Sequence, residues 1–297
     1  MSYEILTLVI NYHITEACNY GCRYCYAAWQ KSDGKELFHD FQKGFDLLEE
    51  VSQLKSTLGS VSSPMRLNFA GGEPLLYPDK LQQLIEYASL LGMETSIITN
   101  ASLLTRERLM AMAPYLSVLG ISLDSANNNS NRLIGRSDRN GLILNIDALA
   151  SMLSEVRSLF PQIQFKMNTV VNRHNHHEDF TDLLDTLKPD KWKVLRMLPV
   201  TTNDLAVTDQ EYTHFVHRHE QYVDIMFAED NSDMRASYLM IDPKGRFFQN
   251  DSTTPESGYH YSRPILEVGA GAALSDIHFD YSKFVSRYQP HSVREVV

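Results

Sequence analysis

The chain has 297 residues, 43% of them hydrophobic, and a formal net charge of −10. Proteins that coat nucleic acid need a basic surface to displace counterions, so that class is excluded, although a few lysines focused inside a cleft can still hold a small polyanion. No run of about eighteen apolar residues occurs, and the stretch Ile5–Ile10 is short and has no basic leader, so a cytoplasmic protein with neither signal peptide nor membrane span is expected.

In chain order, the expected strands are Asn11–Thr15, Arg66–Ala70, Glu94–Thr99, Val118–Leu123, Gln164–Val171 and Trp192–Met197. Between them, apolar residues at three- and four-residue spacing predict helices over Phe38–Leu58, Asp79–Leu91, Thr105–Met112, Leu142–Phe160 and Glu178–Leu187. A further helix is expected at Asp209–Met226, then a hairpin of Tyr238–Asp242 and Arg246–Gln249 around the turn Asp242-Pro243-Lys244-Gly245. Strands alternating with helices specify an α/β fold with a parallel sheet. Six such repeats suit a partial (β/α)6 barrel over residues 1–250, with its chemistry at the carboxyl ends of the strands. Residues 251–297 are less regular and are expected to form an extension over the barrel mouth.

The three cysteines of the chain, Cys18, Cys22 and Cys25, fall in one loop directly after the first strand. Structural zinc takes four closed ligands, and the nearest histidine, His13, belongs to the preceding strand. A redox disulfide uses two cysteines and leaves the third unexplained. Three thiolates on three irons of a [4Fe–4S] cluster leave the fourth iron open to a chelating ligand. That opening suits S-adenosylmethionine (SAM), whose amino and carboxylate groups can bind iron while an electron breaks the sulfonium bond.

The Cys18–Cys25 segment resembles the motif of the radical SAM superfamily, in which the aromatic before the last cysteine, here Tyr24, lies near the adenine. Gly71-Gly72-Glu73-Pro74 is similar to the superfamily's glycine-rich strand end, where backbone approaches the methionine amino group. Further segments resemble the viperin family in its order: Asn11-Tyr12-His13-Ile14-Thr15, Asn68–Pro74, Ser96–Asn100, Ile121–Ser125, Leu133–Arg136, Phe165–Asn168, Val171–Arg173, Trp192–Val194 and Ser237–Leu239.

The resemblance implies conversion of a ribonucleoside triphosphate (CTP, UTP or GTP) to its 3′-deoxy-3′,4′-didehydro form, a chain terminator in antiviral defence. In that chemistry the 5′-deoxyadenosyl radical takes the C4′ hydrogen and the 3′-hydroxyl leaves as water. The resemblance also implies that Asn100, Ser122 and Arg136 contact SAM, that Lys166, Asn168 and Lys193 hold the triphosphate, and that Tyr238 delivers the final hydrogen or positions the ribose. Lys191 stands where vertebrate members carry arginine, which turns a bidentate phosphate contact into a point contact. The strand period independently puts Lys166 with Asn168, and Lys191 with Lys193, on single faces that can point into one barrel.

An external one-electron donor of flavodoxin or ferredoxin type is implied, with no nucleic acid, no membrane attachment and a monomeric chain. Animal viperins begin with an amphipathic helix and end in a tryptophan; here the cysteine strand starts almost at once and the chain ends Val296-Val297, as expected of a microbial member. No cysteine follows Cys25, which argues against radical enzymes with auxiliary clusters, and a non-enzymatic nucleotide-binding module is the remaining rival. Base contacts are expected from the carboxyl-terminal segment, with Asn250 and Arg263 as candidates. Arg173-His174-Asn175-His176-His177 reads as a solvated loop, Phe41, Phe45, Met110 and Met112 as core, and Asp204, Glu229 and Asp230 as surface.

Overall fold

Aliphatic and β-branched runs alternate with amphipathic helices, and each helix buries its apolar stripe against the sheet. The computed structural model describes residues 7–25, 34–57, 64–200, 202–250 and 259–286. Its strands are β1 (Leu8–His13), β2 (Met65–Ala70), β3 (Glu94–Thr99), β4 (Leu116–Ser122), β5 (Gln164–Val171), β6 (Lys191–Arg196), β7 (Met226–Glu229), β8 (Leu239–Ile241), β9 (Arg246–Asn250) and β10 (Tyr259–Pro264). They form one sheet in the order β10-β9-β8-β1-β2-β3-β4-β5-β6-β7. From β1 to β7 every neighbour is parallel and follows in chain order; β8 pairs parallel to the other side of β1, and β9 and β10 continue antiparallel. This is the expected partial barrel, with β7 as an additional strand at its open edge.

The helices are α1 (Phe41–Ser52), α2 (Leu54–Thr57), α3 (Pro78–Leu90), α4 (Arg106–Met112), α5 (Asn128–Ile134), α6 (Ile146–Leu159), α7 (Thr181–Leu187), α8 (Asp209–Arg218), α9 (Asn231–Met234), α10 (Ile265–Val268), α11 (Ala270–Leu274) and α12 (Tyr281–Ser286). Their inner faces bury residues such as Leu47, Leu84, Leu109, Leu153 and Leu184 against the outward-facing strand residues Leu67, Phe69, Ile97, Met167 and Trp192. The opposite strand faces are more polar and line the cleft.

Strands β3 and β5 have the bounds read from the sequence, whereas β1 ends two residues early. Ile14 N still donates to Ala70 O (2.9 Å), but Thr15 already turns the chain, its hydroxyl accepting from Ala17 N (3.0 Å). The helix expected over Phe38–Leu58 is interrupted: a 3-10 turn at Leu37–His39 precedes α1, which Asp40 caps, and Leu58 lies outside the described residues. The helix expected at Asp209–Met226 stops at Arg218. There the buried His219 ring bonds Phe215 O through Nδ1 (2.8 Å) and accepts from Phe180 N through Nε2 (2.9 Å), tying the helix end to the start of α7. Burial lowers its pKa, in keeping with a neutral ring that can both donate and accept. Beyond it the chain makes a 3-10 turn at Glu220–Tyr222, and only Met226 of the apolar residues that extended the helical pattern enters β7.

The described part of residues 251–297 supplies β10 and α10–α12. Helix α10 packs on α1, and Ala270 N donates to Glu50 Oε2 (3.3 Å). Helix α12 braces the connection between β7 and β8, with Asp280 N on Ala236 O (2.8 Å) and Lys283 Nζ on Ser232 O (3.3 Å). Residues 251–258 and 287–297, Val296 and Val297 among them, lie outside the described residues. No described helix is long and apolar enough to cross a membrane.

Candidate active site

Cys18, Cys22 and Cys25 are half-buried thiols, not joined in a disulfide, on the loop that leaves β1. Main-chain bonds shape this loop: Cys25 N donates to Cys22 O (3.1 Å), Gly21 N to Gly135 O (3.2 Å) and Arg23 N to Ile134 O (2.9 Å). Helix α5 therefore ends against the loop, and Gly135 makes the junction possible. Its φ of 89° suits glycine, and a Cβ there would overlap the Gly21 carbonyl. Donors approach the sulfurs: Tyr20 N lies 3.4 Å from Cys18 Sγ, Asn100 Nδ2 4.0 Å from the same atom, and Arg136 Nη1 4.0 Å from Cys22 Sγ. Burial pushes Cys18 up to about 11 and Cys22 to about 12, so as free thiols both hold their protons until a metal displaces them.

The glycine-rich strand end lies directly on the cysteine loop. Gly72 N donates to Thr15 O (2.8 Å) and Glu73 N to Ala17 O (2.8 Å). Glu73 is fully buried, and its carboxylate is occupied by the chain itself: Oε1 accepts from Leu75 N (3.0 Å) and the Thr99 hydroxyl (2.7 Å), Oε2 from Asn100 N (2.8 Å). Burial raises its pKa against these donors. Its observed part is to lock the ends of β2 and β3 together, presenting Asn100. The Asn100 side chain joins Asn19 Oδ1 (3.0 Å) through Nδ2 and accepts from Ser102 N (2.9 Å) and the Ser102 hydroxyl (2.6 Å).

Arg136, one residue beyond Gly135, is 7% exposed and pairs with Asp124, which is 1% exposed. Its Nη1 lies 3.3 Å from Asp124 Oδ2 and 3.1 Å from the Tyr24 hydroxyl; Nη2 donates to Ser122 O, and the guanidinium lies 5.8 Å from the Tyr20 ring centroid. Tyr24 in turn donates to Asp124 Oδ2. Burial pulls the guanidinium pKa down, but Asp124, Tyr24 and Cys22 together outweigh it and the net direction is up. Asp124 Oδ1 also accepts from Val170 N (2.9 Å). The sequence marked Tyr24, Ser122 and Arg136 but not Asp124, the residue that holds Tyr24 and Arg136.

The register across β4, β5 and β6 aligns Ser122 with Asn168 and Asn168 with Lys193, and two residues lower aligns Lys166 with Lys191. The two polar pairs therefore share the cleft face, as the strand period required. Asn168 Oδ1 is buried without a hydrogen-bond partner among the described residues. Lys191 Nζ sits 3.6 Å from the centroid of the Phe227 ring. Lys193 is 8% exposed; its Nζ lies 2.6 Å from Glu229 Oε1 and 2.5 Å from the Tyr238 hydroxyl, which itself donates to Glu229 Oε2 (2.6 Å). Glu229 is 2% exposed and not on the surface as expected. The expectation failed because β7, a four-residue strand, turns Glu229 toward Lys193.

A model of the radical SAM superfamily matches residues 12–187. The chain is 39% identical to an S-adenosylmethionine-dependent nucleotide dehydratase of Psychrobacter lutiphocae, over 96% of each chain. It is 43% identical to one of Pseudoalteromonas ulvae, over 96% of this chain and 94% of the relative. It is 30% identical to the dehydratase RSAD2 of Danio rerio, over 94% of this chain and 76% of that one. This chain belongs to the viperin family of radical SAM nucleotide dehydratases. The fold of the family is shared with SAM-bound Streptococcus suis SuiB (TM-score 0.64, 14% identity, 95% of this chain and 68% of that one). It is shared also with anSMEcpe with bound AdoMet (TM-score 0.63, 14% identity, 94% and 84%).

Members of the radical SAM superfamily use a [4Fe–4S] cluster and SAM, and the residues of this viperin-family chain fit both. Among the described residues no three His, Cys, Asp or Glu side chains converge as one metal ion requires. Three thiols that each bind a different iron need no such convergence. His13 is no fourth ligand candidate: it packs edge-on to Phe248 (5.2 Å), and burial holds its pKa down at about 3. The histidine loop is a folded turn, with Asn175 Nδ2 on Asp124 O (2.7 Å) and Val170 O (2.9 Å). Arg263 is engaged by Asp276 (2.8 Å) at an exposed position.

Gly72 offers a test of the cradle. A Cβ there would overlap the Ala17 carbonyl, backbone against backbone, so Gly72→Ala must part the glycine strand end from the cysteine loop. A displacement of about 1 Å at a reacting centre costs about a hundredfold in rate, and a loss of that order is expected in 5′-deoxyadenosine formation. A variant within twofold of wild type would show that the contact does not set the site.

Proposed function

We propose that this enzyme dehydrates a ribonucleoside triphosphate, CTP, UTP or GTP, to the 3′-deoxy-3′,4′-didehydro analogue, as part of antiviral defence. The observation that carries this reading is the continuous row from the cysteine loop to the cleft lysines. Cys22 neighbours Arg136, Arg136 is bound to the Ser122 carbonyl, and Ser122, Asn168 and Lys193 follow in strand register. A SAM molecule at the first part of the row and a nucleotide at the second would lie side by side in one cleft.

Cys18, Cys22 and Cys25 would hold the cluster, and reductive cleavage of SAM there supplies a carbon-centred radical able to take the ribose C4′ hydrogen. Arg136, Asn100, Ser122, Tyr24 and the Gly71-Gly72 backbone would orient SAM, with Glu73 fixing Asn100 from behind. Lys166, Lys191 and Lys193 would neutralise the phosphates, and the unpartnered Asn168 Oδ1 would accept from a sugar hydroxyl. Tyr238, touching Lys193, would face the ribose and donate its hydroxyl hydrogen or position the ring for loss of the 3′-hydroxyl as water. Electrons would come from a flavodoxin- or ferredoxin-type donor.

Incubating the reconstituted enzyme with each of the four ribonucleoside triphosphates, and measuring 5′-deoxyadenosine together with the dehydrated nucleotide by mass, tests the proposal. At least one of CTP, UTP and GTP is expected to stimulate cleavage; if no nucleotide does, the reading fails and a non-enzymatic binding module takes its place. Lys193→Ala removes a charge-assisted contact of about 1.5–3 kcal/mol, so nucleotide affinity should fall roughly ten- to a hundredfold. Unchanged affinity would take Lys193 out of the site.

A further inference from the structure

Lys193, Glu229 and Tyr238 form a closed triangle across the open side of the barrel. Lys193 lies on β6 and Glu229 on β7, the edge strand, while Tyr238 immediately precedes β8, which pairs with β1 on the other side of the opening. Each corner touches the other two within 2.6 Å, and the ammonium also lies 4.7 Å from the centroid of the Tyr238 ring. The connection that brings Tyr238 back to Glu229 is itself fixed. Asp230 caps α9 with a reciprocal bond from Asp233, the Ser237 hydroxyl donates to Asp233 O, and α12 holds Ala236 and Ser232 from outside. A carboxylate is an unexpected neighbour for a lysine that is to meet a polyphosphate, because it carries the same sign of charge as the ligand.

We propose that Glu229 is a positioning residue that acts as the resident counter-ion of Lys193: it holds the ammonium and the Tyr238 phenol in place before substrate arrives, and the incoming phosphates compete with it. The inference rests on the assignment of Lys193 to the polyphosphate. Glu229 offers one oxygen to each partner, so the lysine is held at the cleft wall and the phenol hydrogen is directed to Oε2. An incoming polyanion must share or take over the ammonium in the presence of a buried negative charge, which weakens binding. The same exchange loosens Tyr238 from its resting bond when the ribose is next to it, and so couples occupancy of the phosphate end to release of the phenol.

The role makes a prediction that a scaffold role does not, because loss of a scaffold contact weakens binding whereas removal of a competing charge tightens it. Titration calorimetry of the reconstituted enzyme with SAM but without reductant, using sodium tripolyphosphate, CTP, UTP and GTP in turn, reads this directly. Glu229→Gln keeps the shape and an acceptor oxygen, and should bind tripolyphosphate and the nucleotide substrate about tenfold more tightly, with a lower kcat because the phenol loses its charged acceptor. In a Lys193→Met background the same change should tighten binding far less, since the competition acts through the lysine and only direct repulsion remains. Unchanged or weaker binding in Glu229→Gln, in a protein with wild-type iron content and far-ultraviolet spectrum, overturns the proposal. So does a tightening that persists undiminished in Lys193→Met. Tightened tripolyphosphate binding in an enzyme that dehydrates no nucleotide would leave the counter-ion role standing and remove the dehydratase reading; dehydration with affinity indifferent to Glu229 would do the reverse.

Discussion

Cys22→Ala will abolish the brown absorbance of the reconstituted protein and its formation of 5′-deoxyadenosine together. The loop offers three thiols, so removal of one leaves an iron without a protein ligand and the remaining two cannot retain the cluster in place. The fold should survive, because the bonds that shape this part of the loop, Gly21 N to Gly135 O and Arg23 N to Ile134 O, are main-chain bonds in which the thiol takes no part. An unchanged far-ultraviolet circular dichroism spectrum alongside the lost absorbance is therefore expected. Retained turnover in this variant would show that the cysteines do not hold a catalytic cluster.

Asp124→Ala is expected to destabilise the protein by about 3–5 kcal/mol, the cost of leaving one member of a buried ion pair uncompensated. The substitution strands the Arg136 guanidinium, the Tyr24 hydroxyl and the Val170 N–H at once, all of them turned toward the Asp124 carboxylate. Guanidinium chloride unfolding followed by tryptophan fluorescence measures the loss. Asp124→Asn, which keeps an acceptor for Val170 N, should lose less. SAM affinity should fall in both, since Arg136 and Tyr24 are no longer held beside Cys22. A loss under about 1 kcal/mol in Asp124→Ala would mean that the ion pair is not what holds these groups.

The cysteine spacing and the glycine-rich strand end were legible because each is a local constraint. The loop must wrap a cluster within eight residues, and Gly72 must tolerate backbone contact with Ala17. The strand faces were legible because a strand has a period of two, and the observed register places Lys166 beside Lys191 and Asn168 beside Lys193. Asp124 and Glu229 escaped for the same reason as each other. Neither carries a spacing signal, and each acts through residues distant in the chain: Asp124 meets Tyr24, a hundred positions earlier, and Glu229 meets Lys193 and Tyr238. Glu229 was further concealed by Val223, Ile225 and Met226, which continue the helical pattern of α8 although His219 has already ended it.

The amino-acid sequence by itself determined the α/β alternation, the order of the parallel strands, the cysteine loop and the faces on which the cleft residues lie, because hydrophobic period and short-range spacing are properties of the chain alone. Only the tertiary structure decided the charge partners of the site. Asp124 for Arg136 and Glu229 for Lys193 are selected by which strand ends meet across the barrel, and a buried ion left without its partner is costly, so the pairing depends on the fold.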